Sequence, residues 1–161
     1  MRHLDDCYSL ARWMTGSRSD AEDVVQDACL RAMQGVHGFS GGDSRAWMLA
    51  IVRNAALTWL KRNRPKALVL TDDMEAAERM SSEPPAGDTP ESALIASADA
   101  MRVESAVASL PAFLKETFVL REIHDMSYRE IAEVTGSPVG TVMSRLSRAR
   151  AILIQSLGTS P

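Results

Sequence analysis

The side chains best placed to do chemistry lie between residues 127 and 150. Thr141, Ser144, Arg145, Ser147, Arg148 and Arg150 occupy the outward faces of a stretch whose apolar residues, Val139, Val142, Leu146, Ala149 and Leu153, recur at helical spacing. From Val139 to Gln155 there are three arginines and no carboxylate. That set suits hydrogen bonding and charge neutralisation rather than covalent catalysis. Guanidinium groups meet phosphates or guanine edges, and short hydroxyl side chains permit close approach to a groove. A solvated amphipathic helix would present similar faces, so the decision rests on the neighbouring residues.

Those neighbours supply a pair of caps and a tight turn. Ser127 and Glu130 have the S-x-x-E spacing of a capping box, which predicts that a short helix starts there. Gly136 stands where that helix must stop and the backbone needs positive φ. Ser137 is expected to cap the following helix, with Pro138 in its first turn. Val139 joins the other apolar residues in the inward set. Two short helices around a tight turn, the second carrying arginines outward, predict a helix-turn-helix that enters a major groove.

A second basic cluster lies nearer the N-terminus. A helix capped by Asp43 or Ser44 is expected to run to about Arg62. Trp47, Met48, Ile51, Val52, Ala55 and Trp59 supply most of its core face, and Arg45, Arg53, Asn54, Lys61 and Arg62 its polar remainder. The charge continues through Asn63, Arg64, Pro65 and Lys66. Cations beside aromatic edges suit single-stranded nucleic acid, through stacking and phosphate pairing, whereas tryptophans buried in the core are the plainer alternative. Before this helix, Gly35–Asp43 reads as a glycine-rich loop. It lacks G-x-x-x-x-G-K-[ST] and opens no βαβ unit, so it does not read as a phosphate cradle.

The preceding helices complete the first module. Residues 3–15 give a short helix with Leu4, Cys7, Tyr8, Ala11 and Met14 inward, ended by Thr15-Gly16. Ser19 and Glu22 predict a capping box for a second helix to about Gln34, with Ala21, Val24, Val25, Ala28 and Ala32 inward. Asp20, Glu22, Asp23, Gln26 and Asp27 crowd its first half. They favour the helix dipole there, and they equally suit a docking face for a basic partner. No histidine, lysine or glycine loop accompanies them, so they do not form a catalytic carboxylate site.

Charge divides the chain of 161 residues. Residues 1–70 carry ten basic and seven acidic side chains, residues 71–91 one and seven, and residues 92–161 seven of each. The middle segment also holds Pro84-Pro85 and little apolar material, which predicts an extended or disordered tether between two modules. Met74–Met80 in it could form one helical turn. Thr89-Pro90-Glu91 predicts the start of the next helix, to about Ser109. Leu110-Pro111 breaks it and starts another, to about His124, with Leu114, Phe118 and Ile123 inward. Residues 158–161 read as a frayed end. No stretch alternates like a strand, so the expected fold is all-α. It comprises domains at 1–66 and 92–158, the second a helix-turn-helix domain, joined by a flexible acidic linker at 67–91. The net charge of −3 argues against nonspecific coating of nucleic acid. Cys7 and Cys29 are far apart and outside any C-x-x-C pair, and His3, His37 and His124 are scattered. Free thiols are expected, with neither metal nor cofactor. No apolar run is long enough to cross a bilayer, and Arg2, Asp5 and Asp6 are unlike a signal peptide. A cytoplasmic protein is expected.

In this order the segments resemble a bacterial RNA polymerase sigma factor of the extracytoplasmic-function (ECF, group 4) type. The resemblance rests on Asp20-Ala21-Glu22-Asp23-Val24-Val25-Gln26-Asp27 and on Arg45-Ala46-Trp47 through Arg53-Asn54. It also rests on Leu110-Pro111, Phe118–Glu122, Ser127-Tyr128 with Glu130-Ile131-Ala132, and Pro138 through Arg150. It covers most of the chain outside the linker. It implies a nonenzymatic specificity subunit, a monomer when free, that binds core RNA polymerase and promoter DNA and is held by an anti-sigma factor. Asp20, Glu22, Asp23, Gln26 and Asp27 would dock on the polymerase. Arg45, Arg53, Asn54, Lys61, Arg62, Asn63 and Arg64, supported by Trp47 or Trp59, would read the minus-ten element and hold its melted strand. Arg129, Pro138, Thr141, Met143, Ser144, Arg145, Ser147 and Arg148 would read the minus-thirty-five element as duplex. The linker would thread the channel later used by RNA. Met143 departs from the basic residue of several relatives, which favours contact with a thymine methyl or packing. Two other readings remain open: a freestanding helix-turn-helix regulator, which needs dimerisation and a palindromic site, and a sigma-like decoy that binds an anti-sigma protein.

Overall fold

Gly16 closes the first helix, α1 (Leu4–Thr15), by adopting the left-handed conformation at φ 76° and donating its N–H to the Arg12 carbonyl at 2.9 Å. The computed structural model that shows this describes residues 3–39, 41–68 and 95–158. Ser17 comes next in extended conformation and caps α2 (Arg18–Gly35), its hydroxyl accepting the Asp20 N–H at 3.4 Å. The cap is therefore Ser17 rather than the expected Ser19, which already lies inside the helix. One 3-10 turn, Val36–Gly38, leads into the glycine loop, and the Asp43 carboxylate caps α3 (Ser44–Asn63) by accepting the Arg45 N–H at 2.9 Å. A second 3-10 turn, Pro65–Leu68, packs back on α3.

These three helices pack pairwise around Leu10, Leu49, Val52 and Leu60, with alanines 11, 21, 28, 46, 55 and 56 buried between them. Alanines at contact positions bring the helix axes together, and the large aliphatic residues fill the remaining space. The inward set expected for α2 is buried in full. On α1 the stripe is rotated: Leu4 is exposed and Leu10 is sealed. The reason is a further neighbour, since α1 contacts a helix of the second module besides α2 and α3. Cys7 is buried, Cys29 half-buried, and neither is in a disulfide. Burial, with smaller contributions from Cys29 and Asp6, pushes the Cys7 thiol up to about 11, which makes it unreactive.

The second module comprises α4 (Ile95–Ala108), α5 (Ala112–Glu122), α6 (Tyr128–Thr135) and α7 (Val139–Gly158). Pro111 opens α5, its carbonyl accepting the Leu114 and Lys115 N–H groups. The helix ends at Glu122, and Asp125 then takes φ 54°, so helical periodicity stops governing the chain at this point. Ile123, expected inside, is consequently exposed. The start expected at Thr89-Pro90-Glu91, the turn expected at Met74–Met80 and nearly all of the acidic segment lie outside the described residues. Among the described residues every regular element is helical.

The modules meet. α3 packs on α6, and α1 packs on α5. Buried apolar residues from both sides join one cluster, from Leu10 and Val52 to Val119 and Ile131. α3 is thus covered from two directions, which is why its apolar residues are spread round the helix instead of forming one stripe.

Candidate nucleic-acid interface

In the helix-turn-helix, Ser127 Oγ accepts the Glu130 N–H at 3.1 Å, and Glu130 Oε2 accepts the Ser127 N–H at 2.9 Å, so the capping box is complete. Gly136 takes φ 65° and donates to the Ala132 carbonyl. Ser137 differs from expectation. Its hydroxyl accepts a hydrogen bond from Arg145 Nη1 at 3.2 Å, while the Pro138 carbonyl accepts the Val142 N–H and begins α7. Val139, at the helix start, is exposed rather than inward, whereas Val142, Leu146, Ala149 and Leu153 are buried as expected.

The outward set then separates. Arg129, Pro138, Met143, Ser144 and Ser147 are exposed, Thr141 and Arg148 are half-buried, and Met143 stands 53% exposed. Ser144 Oγ donates to the Thr141 carbonyl at 3.1 Å. Arg145 turns inward, its guanidinium 5.3 Å from the centre of the Phe113 ring.

On α3 the basic residues also separate. Lys61, Arg62, Asn63 and Arg64 form an exposed tail. Within it, Asn63 Nδ2 donates to the Trp59 carbonyl at 2.8 Å, and the Arg64 guanidinium lies 5.7 Å from the Trp59 ring. Asn54 is exposed, Trp47 and Trp59 are half-buried, and Trp47 packs on Phe39 with ring centres 5.1 Å apart. Each tryptophan is therefore part core and part surface. The glycine loop, Trp47 and Glu133 of α6 line an open cavity of about 600 Å³.

Arg45 and Arg53 face the other module. Arg53 Nε and Nη2 donate to Glu116 Oε2 and Oε1 at 2.8 and 3.0 Å, a bidentate pair in which the Glu116 side chain is fully buried. Burial pushes the Glu116 carboxyl up, against Arg53 and Arg145. Arg45 bridges Asp6 Oδ2 at 2.9 Å and the His124 carbonyl at 2.7 Å. His124 Nδ1 is 3.5 Å from Asp6 Oδ1, and its Nε2 is buried with no hydrogen-bond partner among the described residues. Burial lowers the His124 pKa, with Asp6 opposing; burial raises the Asp6 carboxyl, but Arg45 and His124 outweigh it and hold it low. The residues that sequence reasoning missed here are Asp6, Glu116 and His124. Nothing in their spacing announces a contact between positions this far apart.

The acidic residues of α2 lie on the surface. Glu22, Asp23, Gln26 and Asp27 are exposed and Asp20 half-buried, with Asp27 paired to Arg31 at 3.0 Å within the helix.

Two family models match the chain: Sigma-70 region 2 over residues 1–66, and Sigma-70, region 4 over residues 100–153. Among curated relatives, an ECF RNA polymerase sigma-E factor of Haemophilus influenzae is 34% identical over 141 residues, spanning 85% of this chain and 74% of that protein. The ECF RNA polymerase sigma factor SigE of Mycolicibacterium smegmatis is 31% identical over 150 residues, 92% of this chain and 56% of its own. Among solved structures, the sigma factor RpoE of Bartonella quintana, crystallised with the anti-sigma factor NepR, shares the fold. Its TM-score is 0.71 at 24% identity, over 98% of this chain and 93% of that one. With both regions matched in order, and relatives of this identity spanning most of its length, the chain belongs to the ECF RNA polymerase sigma factors of the sigma-70 family.

Proposed function

We propose that the protein is a group 4 sigma factor that binds core RNA polymerase and directs initiation at promoters with a minus-ten and a minus-thirty-five element. The observation that carries this reading is the division of labour on the surface. An exposed acidic face on α2, an exposed basic-aromatic tail on α3 and an exposed polar face on α7 lie on separate elements. Each suits one of three partners: basic polymerase helices, melted strand and duplex.

In this reading Asp20, Glu22, Asp23, Gln26 and Asp27 contact polymerase. Arg45, Trp47, Arg53, Asn54, Trp59 and Lys61–Arg64 serve the minus-ten element. Arg129, Pro138, Thr141, Met143, Ser144, Arg145, Ser147 and Arg148 serve the minus-thirty-five element. The functional domains are residues 1–66 and 92–158, with 67–91 as the tether. The work is binding without a catalysed reaction. Each good base contact discriminates by ~1–3 kcal/mol, and phosphate contacts add salt-dependent affinity. The setting is the cytoplasm, the free chain is a monomer, and an anti-sigma protein is its regulator. Among the described residues no helix is long and apolar enough to cross a membrane. Run-off transcription with purified core polymerase on a promoter library tests the reading. Enrichment of templates sharing two spaced elements supports it, and transcripts unchanged by adding the protein sink it.

A further inference from the structure

We propose that Glu122 is a charge brake on the minus-thirty-five reader: it holds the Arg150 guanidinium away from DNA phosphate and so keeps the sequence-independent affinity of the helix-turn-helix low. The inference rests on the proposed groove reading of α7 and on contacts inside the second module alone.

Arg150 stands in line with residues assigned to the promoter. Met143, Ser147 and Arg150 follow one another at intervals of four and three residues, so they share one flank of α7, and all three are exposed. Arg150 reaches back to the end of α5, where its Nη2 donates to Glu122 Oε1 at 2.9 Å. Hydrogen bonds to Glu122 first, and to Tyr128 besides, outweigh burial and raise the Arg150 pKa. The cation is therefore permanent, and only its partner can change.

The position suits a phosphate contact. Tyr128 opens α6, the first helix of the motif, and such a helix crosses the DNA backbone while the second enters the groove. The Arg121 guanidinium lies 4.9 Å from the centre of the Tyr128 ring, and its Nη1 donates to the Met126 carbonyl at 2.8 Å. Tyr128 thus touches two guanidinium groups, one at its ring and one by hydrogen bond, and the exposed Arg129 follows it. Of the carboxylates beside this corner, Glu130 is used by the Ser127 N–H in the capping box, whereas Glu122 is on Arg150.

Stability does not account for the Glu122 pair. The Arg150 and Glu122 side chains are 46% and 44% exposed, and an ion pair so open to water contributes little to folding. Its consequence is electrostatic. A carboxylate oxygen on the guanidinium cancels most of that charge's field at a phosphate, and a phosphate has to displace it to take the same donor. Phosphate contacts carry no sequence information. With one of them withheld, base edges govern a larger share of binding, and the net charge of −3 works in the same direction.

Anisotropy of a labelled random-sequence duplex, titrated with the full chain at several salt concentrations, tests this. Glu122→Gln should bind more tightly than wild type, by about threefold or more at about 50 mM salt. One additional phosphate contact steepens the log–log salt slope by about 0.9, so the variant should lose about threefold more affinity than wild type between about 50 and 200 mM. Arg150→Ala placed in the Glu122→Gln chain should cancel the gain in both affinity and slope. Glu104→Gln removes the same charge from an exposed position of α4 and should not steepen the slope, which separates a contact from a general change in net charge. A Glu122→Gln chain that binds the duplex no better than wild type, or not at all, overturns the proposal. So does a gain that survives Arg150→Ala or that Glu104→Gln reproduces. The assay uses neither polymerase nor a promoter, so it can fail while run-off transcription succeeds, and the converse also holds.

Discussion

Lys115 should favour, in alkali, the closed form in which the two modules pack together over an open form in which they separate. It lies half-buried on α5; burial first, and the Arg64 guanidinium second, pull its pKa from 10.5 down to about 8. Arg64 belongs to the first module, so separating the modules returns the ammonium to water and to its ordinary value. Between those two values the closed form binds fewer protons than the open form, and closure strengthens as pH rises through that window. With a closed-state pKa of about 8, the closed-to-open ratio should rise up to about tenfold between about pH 7 and 9. Glu116, its pKa raised by burial, would give the opposite slope if it titrated in this range. The measurement therefore belongs in the Glu116→Gln background, where that group no longer titrates and the weakened contact with Arg53 should raise the share of the open form. Energy transfer between dyes at the exposed positions Gln34 and Gln155 reads the ratio. Lys115→Met should abolish the slope and favour closure at pH 7, because it removes a buried ammonium beside a guanidinium. A slope that survives in Lys115→Met would refute the reasoning, and a flat profile in the Glu116→Gln chain would show that Lys115 is not buried by module contact.

The other predictions separate the surfaces. Arg148→Glu should reduce promoter-specific run-off transcription by about tenfold or more (on the order of one lost base or phosphate contact made repulsive) while core polymerase binding measured by co-elution is retained. Asp23→Arg should do the reverse: weakened core binding is its primary defect, read by titration against labelled polymerase. Ser127→Ala removes the hydroxyl half of the capping box and should cost about 1 kcal/mol, measured as a lower unfolding midpoint with the helical fold unchanged.

Local rules were enough wherever the physics was local. The Ser127–Glu130 box, the positive φ at Gly136 and the buried set Val142, Leu146, Ala149 and Leu153 depend on residues a few positions apart, and periodicity and capping chemistry report them well. Misplacements occurred where an element stops or acquires another neighbour. Val139 lies at the first residue of its helix and Ile123 just past the end of another, so each lacks the covering turn that periodicity assumes. Ser19 lost the cap to Ser17 because Gly16 reverses the chain early enough for the helix to begin at Arg18. Leu4 and Leu10 exchanged places because α5 of a distant segment completes the surroundings of α1.

The arginines show where such reading stops. By type and spacing, Arg45, Arg53 and Arg145 are indistinguishable from Arg62: basic residues on polar faces of two helices. What separates them is a set of partners from Asp6 to Ser137, drawn from both ends of the chain. A guanidinium presents five donors in a fixed fork, and carboxylate, carbonyl and phosphate oxygens all satisfy it. That makes the same side chain a fitting clasp when DNA is absent and a fitting contact when DNA is present. The two uses exclude each other, because Arg53 cannot keep both donors on Glu116 and give them to a phosphate.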